Sequence, residues 1–304
     1  MAFLKVLESI RTPFLDTVFS LITHLGEETI FILVGLLFFW CINKKQGYYL
    51  LSVGFIGTVI NQFLKLWFRI PRPWVKDPAF TIVESARAEA TGYSFPSGHT
   101  QSSVGVFGSI GRITTHKWLR FLCIAACILV PFSRMYLGVH TPADVLVSVA
   151  VALLLIFGLY PIIDKAYDNR KSMRLVFIAM TGLALLYFLF VHFFTFPADV
   201  DPHNLASGFK NAYKILACII AMWLAFEVDT SCTHFDTKAV WWAQILKLVV
   251  GLLPVLAIKS GLKEPLNMLI GNTYIADGIR YFLLTAFAGC IWPMTFKWWG
   301  KLGR

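Results

Sequence analysis

The sequence predicts an all-α fold, a bundle of helices that crosses a membrane several times. Of its 304 residues, 57% are hydrophobic and only 14% are charged, and the mean hydropathy is +0.68. A soluble domain has about a quarter of its residues charged. Several apolar runs also approach the roughly 20 residues that a helix needs to cross a bilayer. Together these observations predict a polytopic membrane protein.

The first 28 residues carry apolar side chains at helical spacing. The members of this stripe are Phe3, Leu7, Ile10, Phe14, Val18, Leu21 and Leu25. Charged and polar residues lie between them, and a helix with one apolar stripe is typical of a segment that lies in the membrane interface. We therefore expect residues 1–28 to form an amphipathic interfacial helix.

Nine apolar segments follow and are predicted to span the membrane. They are Thr29–Ile42, Tyr48–Phe68, Thr100–Ile113, Trp118–Phe132, Ala143–Ile163, Leu175–Phe196, Ala212–Phe226, Ala239–Ile258 and Tyr281–Phe296. We expect residues 29–165 to form a functional core and residues 175–304 to form a C-terminal extension of about four helices. The extension is a candidate for shaping a lipid groove, for homodimer formation or for contact with a partner. Lys247 falls near the middle of one of its spans.

The net charge of +10 is spread singly between the apolar runs, so nucleic acid is not an expected partner. Short loops rich in lysine and arginine indicate the cytoplasmic side. The first and third connections have this character, through Lys44, Lys45, Arg112, Lys117 and Arg120. With nine spans, this orientation places the polar motifs described next on the extracytoplasmic side. The sequence has no N-x-S/T sequon, which fits a bacterial inner membrane protein, while an endoplasmic-reticulum enzyme with a lumenal site stays open.

Three polar motifs stand where apolar runs end or begin. They are Lys65 with Arg72-Pro73, then Pro96-Ser97-Gly98-His99, then Ser133-Arg134 with His140 and Asp144. Each motif alone has an ordinary structural interpretation. Cations collect at membrane interfaces, serine caps helices, and a histidine–aspartate pair often closes a helix end. Only their combination points to chemistry.

Two of these motifs stand at predicted helix starts, and this position determines which of their groups can meet. Thr141 followed by Pro142 is a helix start, and Asp144 lies four residues after His140, within reach across the first turn. A carboxylate beside one imidazole nitrogen fixes the tautomer and leaves the other nitrogen free. Ser97 is a natural cap for the next helix, whose backbone N–H groups suit an anion, with Gly98 allowing close approach.

All fixed positions of the three motifs are present and in order, and the sequence resembles the type 2 phosphatidic acid phosphatase superfamily. That superfamily also includes vanadium haloperoxidases. The resemblance covers about residues 14–163, roughly half of the chain. It implies that His140 is a nucleophile that forms a phosphohistidine, that Asp144 orients it, and that His99 protonates the leaving oxygen. The implied phosphate-binding residues are Lys65, Arg72, Ser97, Gly98 and Arg134. The implied chemistry needs no metal or other cofactor, because three cations hold the phosphate.

The expected function is hydrolysis of a lipid phosphate or pyrophosphate at the membrane surface. Candidate substrates are polyprenyl pyrophosphate, phosphatidylglycerophosphate and phosphatidic acid, and the sequence does not choose among them. A phosphotransferase that passes the phosphoryl group to a lipid hydroxyl remains an alternative. A lipid-phosphate binder or transporter is a second, although pure binding needs neither nucleophile nor acid. A haloperoxidase is disfavoured, because those relatives are soluble.

Overall fold

The computed structural model describes residues 1–302, and this range contains helices and loops but no β-strand. The α-helices are α1 (Ala2–Ser9), α2 (Pro13–Thr23), α3 (Glu28–Leu37), α4 (Lys44–Phe68), α5 (Pro73–Lys76), α6 (Gly98–Ile113), α7 (Lys117–Tyr136), α8 (Pro142–Ala166), α9 (Arg170–Phe193), α10 (Pro202–Val228), α11 (Trp241–Gly261), α12 (Lys263–Ile270), α13 (Thr273–Ala286) and α14 (Phe296–Trp299). The all-α class predicted from the sequence is confirmed. Gly303 and Arg304, which end the predicted C-terminal extension, lie outside the described residues.

Seven stretches of the described chain are long and apolar enough to cross a membrane. They are Lys44–Lys76, Lys117–Tyr136, Pro142–Ala166, Arg170–Phe193, Pro202–Thr233, Trp241–Gly261 and Thr273–Trp299. A further pair, Pro13–Gly26 and Glu28–Ile42, meets the same test when taken together but is bent by 50°. The predicted membrane bundle is thus confirmed, with seven or eight candidate spans where about nine were expected.

The third predicted span accounts for most of the difference in count. Residues 100–113 do form a helix, but α6 has 16 residues and is about 24 Å long at the usual rise per residue. The hydrocarbon core of a bilayer is about 30 Å thick. The helix starts at Gly98, directly after the cap residue Ser97, so the polar motif itself limits the length of α6.

The predicted N-terminal interfacial helix is two helices rather than one. The first ends at Ser9, and the second begins at Pro13, where Thr12 accepts a hydrogen bond from the N–H of Leu15 at 3.3 Å. Proline lacks an N–H and favours the first position of a helix, so it starts a new helix here. The predicted stripe is also divided, because Leu7 is buried while Phe14 is 74% exposed.

The chain divides into two compact units that do not follow chain order. The first contains Met1–Ile32, Ile56–Tyr160 and Thr195–Gly208, and the second contains Leu33–Phe55, Pro161–Phe194 and the residues from Phe209 onward. Every residue of the three motifs lies in the first unit. The boundaries expected from the sequence, at 29–165 and 175–304, stay a prediction.

In the first unit, α1 is tied to the loop that follows Arg72-Pro73. Leu4 and Leu7 pack with Phe80 and Ile82 in one buried cluster. One ion pair and two hydrogen bonds surround that cluster. Lys5 pairs with Asp77 at 2.9 Å, Glu8 accepts from the Thr81 N–H at 2.8 Å, and Arg11 donates to the carbonyl of Tyr136 at 3.0 Å. The loop between the first two motifs is therefore held in place by the N-terminal helix.

In the second unit, buried charges are satisfied locally. Lys44 donates to the buried carboxylate of Asp229 at 2.6 Å, and Asp229 also accepts from the N–H of Phe235 at 3.0 Å. Lys247, which the sequence placed within a span, is 1% exposed. Its ammonium donates to the carbonyl of Thr237 at 3.0 Å and lies 4.4 Å from the centroid of the Phe296 ring.

Candidate active site

The three motifs meet in one buried polar cluster of the first unit. Its charged members are almost inaccessible to solvent: Lys65 is 5% exposed, Arg72 6%, Arg134 0%, His140 1% and Asp144 1%. Burying this many ionisable groups is costly unless they are paired or serve a ligand. The contacts within the cluster show which groups are paired and which are not.

The second and third motifs are joined where their helices begin. The hydroxyl of Ser97 caps α6 by accepting from the N–H of Thr100 at 3.4 Å, as the sequence predicted. The N–H of Ser97 donates to the carbonyl of Asp144 at 3.1 Å. On α8, the hydroxyl of Ser148 donates to the carbonyl of Ser97 at 2.9 Å. The starts of α6 and α8 are therefore fixed side by side.

The carboxylate of Asp144 is held by two donors on one oxygen. Its Oδ2 accepts from the hydroxyl of Ser94 at 2.6 Å and from the N–H of Thr141 at 2.7 Å. Thr141 in turn accepts from the N–H of Asp144 at 3.4 Å, so the two residues cap α8 reciprocally. The Nδ1 atom of His140 lies 3.5 Å from the same Oδ2, longer than a hydrogen bond but close enough for electrostatic attraction.

The other nitrogen of His140 faces a guanidinium. Its Nε2 lies 3.0 Å from Nη1 of Arg72. A guanidinium can only donate, so Nε2 is the acceptor and the proton of the neutral imidazole resides on Nδ1, facing Asp144. This assignment follows from the hydrogen-bond partners. It gives His140 the tautomer in which Nε2 carries the free electron pair that a nucleophile needs.

Arg72 and Lys65 hold the loop that leads into the second motif. Arg72 donates to the carbonyl oxygens of residues 91 and 92, at 2.7 and 3.1 Å, and to that of Val139 at 3.0 Å. The Lys65 ammonium donates to the carbonyl of Tyr93. Backbone carbonyls thus hold both cations, and Arg72 lies directly beside His140. Among residues 1–302, neither cation has a carboxylate at contact distance that would neutralise it.

Several buried donors have no partner within residues 1–302. Arg134 uses Nη1 to donate to the hydroxyl of Thr23 at 2.8 Å, but its Nε and Nη2 are unpaired, as is Nε2 of His99. Beside Gly98, an added Cβ would meet nothing nearer than Oδ1 of Asn61, at 3.9 Å. Gly98 therefore leaves room for a small group, and unpaired buried donors are what a bound anion would satisfy.

Both histidines have lowered pKa values. Burial holds the pKa of His140 well below the usual imidazole value, and the positive charge of Arg72 lowers it further. Burial likewise lowers the pKa of His99 well below 6.5, with a further contribution from Arg134. Both rings are therefore neutral at neutral pH before an anion enters. A doubly charged phosphate would offset the cationic field and raise both pKa values.

Two residues of this cluster, Ser94 and Thr23, were not predicted from the sequence. Ser94 holds Asp144 from 50 positions away, and Thr23 holds Arg134 from 111 positions away. Ser94 stands two residues before Pro96, so its closeness to a motif was the only available signal. Nothing in the sequence around Thr23 pointed to the site.

Comparison with known families matches two parts of the chain. Residues 45–168 match the PAP2 superfamily, and residues 213–304 match the transmembrane extension of PAP2 superfamily phosphatases. The first match contains all three motifs. The second falls on the C-terminal segment that the sequence left without a role.

Individual relatives agree with the family matches. The phosphatidylglycerophosphatase B of Bacillus subtilis is 31% identical over 174 residues, which cover 53% of this chain and 79% of that protein. An undecaprenyl-diphosphatase of the same organism is 33% identical, over 38% of this chain and 56% of its own length. The sphingosine-1-phosphate phosphatase 1 of Mus musculus is 24% identical, over 81% of this chain and 59% of its own length. No solved structure shows a significant match.

These matches and the buried motif cluster place the chain in the PAP2 superfamily. It is an integral membrane lipid phosphatase, a hydrolase of lipid phosphates.

Proposed function

We propose that the protein removes phosphate from a lipid phosphate or pyrophosphate by way of a phosphohistidine at His140. The observation that carries this proposal is the environment of that ring. Its Nδ1 faces a fixed carboxylate, its Nε2 carries the lone pair, and three buried cations belong to the same cluster. A pure phosphate-binding site would need the cations but not an oriented imidazole.

The reaction has two steps with defined roles. In the first, Nε2 of neutral His140 forms a bond to phosphorus and the bond from phosphorus to the leaving oxygen breaks. His99, which takes up a proton once the bound phosphate has raised its pKa, gives that proton to the leaving oxygen. In the second, His99 takes a proton from water as the water oxygen attacks phosphorus, and the bond to His140 breaks. Asp144 stabilises the positive charge on the ring throughout.

The cations supply the electrostatic part of the reaction. Phosphoryl transfer spreads negative charge over the equatorial oxygens, so positioned cations lower the barrier. Arg134 offers unpaired N–H groups at two of its nitrogens. Lys65 in α4 and Arg72 at the start of α5 add positive charge. Ser97 and Gly98 would add backbone donors at the start of α6. Three fixed cations do the work that a metal ion does elsewhere, so we expect the reaction to be independent of metal.

Substrate binding must also free the nucleophile. In the structure, Arg72 donates to Nε2 of His140, the atom that is proposed to attack phosphorus. A phosphate oxygen is a stronger acceptor than a neutral imidazole because it is charged. The entering phosphate would therefore draw that N–H to itself and leave the lone pair of His140 facing phosphorus.

A lipid phosphate suits a site built on membrane-spanning helices, because the tail can stay in the bilayer while the headgroup enters the cluster. Phosphatidylglycerophosphate is the first substrate to test, since this chain covers 79% of the phosphatidylglycerophosphatase relative. Polyprenyl pyrophosphate and phosphatidic acid complete the set. We propose further that the site faces the extracytoplasmic side of a bacterial inner membrane, as the basic loops suggest.

The test compares purified wild type with His140→Ala in detergent, with EDTA present. Phosphate release would be measured from the three lipids and from a soluble phosphate ester. We expect release from at least one lipid that is lost in the variant, with the ranking of rates identifying the substrate. Release that requires an added lipid alcohol would favour a phosphotransferase, and undiminished release by a folded His140→Ala protein would refute the proposal.

A further inference from the structure

The bend between α2 and α3 lies against the candidate site, although the PAP2 match begins only at residue 45. The two arms of the bent pair, Pro13–Gly26 and Glu28–Ile42, meet at an angle of 50°. A short 3-10 turn, His24–Gly26, occupies the bend. Two residues of this bend, Thr23 and Gly26, touch two different motifs.

The first contact fixes the guanidinium of Arg134. Arg134 is 0% exposed and Thr23 is 4% exposed, and Nη1 of the arginine donates to the threonine hydroxyl at 2.8 Å. For the side chain of Arg134 this is the one hydrogen bond found within the described residues, since Nε and Nη2 have none. A guanidinium is planar and rigid, so holding one nitrogen sets the direction of the other two.

The second contact fixes how closely the bend approaches α6. A Cβ placed on Gly26 would lie 2.8 Å from the carbonyl oxygen of His99 and 3.0 Å from its Cβ. Both distances are shorter than a van der Waals contact, and one neighbour is backbone that cannot swing away. Only glycine lets the bend pack directly on the residue that carries the candidate acid.

We infer that Thr23, in a bend that Gly26 allows to pack against His99, is a positioning residue for the phosphate-binding Arg134. The inference rests on the proposed function, because it assumes that Arg134 binds the substrate phosphate. It adds to the active site an N-terminal segment that lies before residue 45, where the PAP2 match begins. Thr23 acts through Arg134 and makes no bond to the substrate itself.

The test removes the hydroxyl while keeping the shape of the side chain. Thr23→Val does this, Thr23→Ser keeps the hydroxyl, and Thr17→Val is the matched control, since the Thr17 hydroxyl bonds only to the carbonyl of Pro13 on the exposed part of α2. Each protein would be assayed for kcat, for KM and for inhibition by inorganic phosphate. A second variant, Thr23→Ala, keeps the test available if Thr23→Val does not fold.

We expect Thr23→Val to lower kcat/KM by about 10- to 100-fold, the range for one hydrogen bond to a charged group. Phosphate should inhibit it more weakly by a similar factor. Thr23→Ser should stay within about threefold of wild type, and so should Thr17→Val. In an Arg134→Ala background, Thr23→Val should have almost no further effect, because the group that it positions is gone.

A Thr23→Val protein with wild-type kinetics and phosphate inhibition would overturn the inference. So would an equal loss in the Arg134→Ala background, which would indicate a general structural role. Failure of the proposed function would give a different result. In that case Arg134→Ala and His140→Ala would themselves retain activity.

Discussion

Removal of the Ser94 hydroxyl is the sharpest test of how the site holds its carboxylate. Ser94 is fully buried and donates to Oδ2 of Asp144 at 2.6 Å, the shorter of the two hydrogen bonds on that oxygen. In Ser94→Ala only the N–H of Thr141 would hold Oδ2. The carboxylate could then turn away from His140 and support its charged form less well.

The size of the effect follows from the charge of the acceptor. A hydrogen bond to a charged group contributes about 1.5–3 kcal/mol, and one to a neutral group about 0.5–1.5 kcal/mol. Since about 1.4 kcal/mol corresponds to a tenfold change in rate, we expect Ser94→Ala to lower kcat/KM by about 10- to 100-fold. The matched control is Ser103→Ala, which also removes a fully buried hydroxyl, but one that bonds to the carbonyl of Thr100 in its own helix.

The assay is phosphate release from the preferred lipid, with the folded fraction of each protein checked by size-exclusion chromatography in detergent. The control should stay within about threefold of wild type. Equal activity of Ser94→Ala and wild type would contradict this prediction, because it would mean that Asp144 needs no fixed orientation. Equal losses in Ser94→Ala and Ser103→Ala would attribute the effect to packing rather than to the carboxylate.

Three further predictions concern Arg72, the ion pairs of Lys44 and Lys45, and the two histidines of the site. Arg72→Lys should lower kcat/KM by about 100-fold or more, because one ammonium cannot reproduce the contacts of a guanidinium; near-normal kinetics would contradict this. Lys44→Met should destabilise the protein by about 2–3 kcal/mol, because it leaves the buried carboxylate of Asp229 without its cation. Lys45→Met removes only more exposed ion pairs and should cost less than about 1 kcal/mol. Thermal unfolding in detergent would compare the stabilities of the two variants. Equal losses of stability would contradict the prediction. The pKa values of His140 and His99 are lowered in the folded protein. Below about pH 6.5 the unfolded chain therefore binds protons that the folded chain does not, so thermal stability should fall as the pH drops below that value. A thermal stability that does not change with pH in this range would contradict the presence of buried neutral rings.

The parts of the site that the sequence predicted are those encoded by short-range signals. The start of α8 after Thr141 follows from a capping residue and a proline within a few positions. The start of α6 after Ser97 follows from the same rule. The nearness of Asp144 to His140 follows from helical spacing. Such features depend on neighbours in the chain, so they can be inferred without knowledge of the tertiary fold.

The parts of the site that could not be predicted from the sequence depend on packing between residues that are far apart in the chain. Ser94 and Thr23 reach the site through loops and a helix bend that no local pattern specifies. The apolar stripe of residues 1–28 has helical spacing and therefore predicted one helix. In the structure a new helix begins at Pro13, so the proline, and not the spacing, determines where the helices end and begin. The hydrogen bond from Arg72 to His140 was also unforeseen, since a cation was expected to face the phosphate.

The most direct measurement of the central claim is detection of the covalent intermediate. Wild type and His140→Ala would be mixed briefly with the preferred lipid, quenched in alkali, where phosphohistidine is stable, and digested for mass spectrometry. We expect a peptide with phosphate on His140 in wild type and no such peptide in the variant. Lipid turnover by wild type without any phosphate on His140 under these conditions, or with phosphate on another residue, would contradict it.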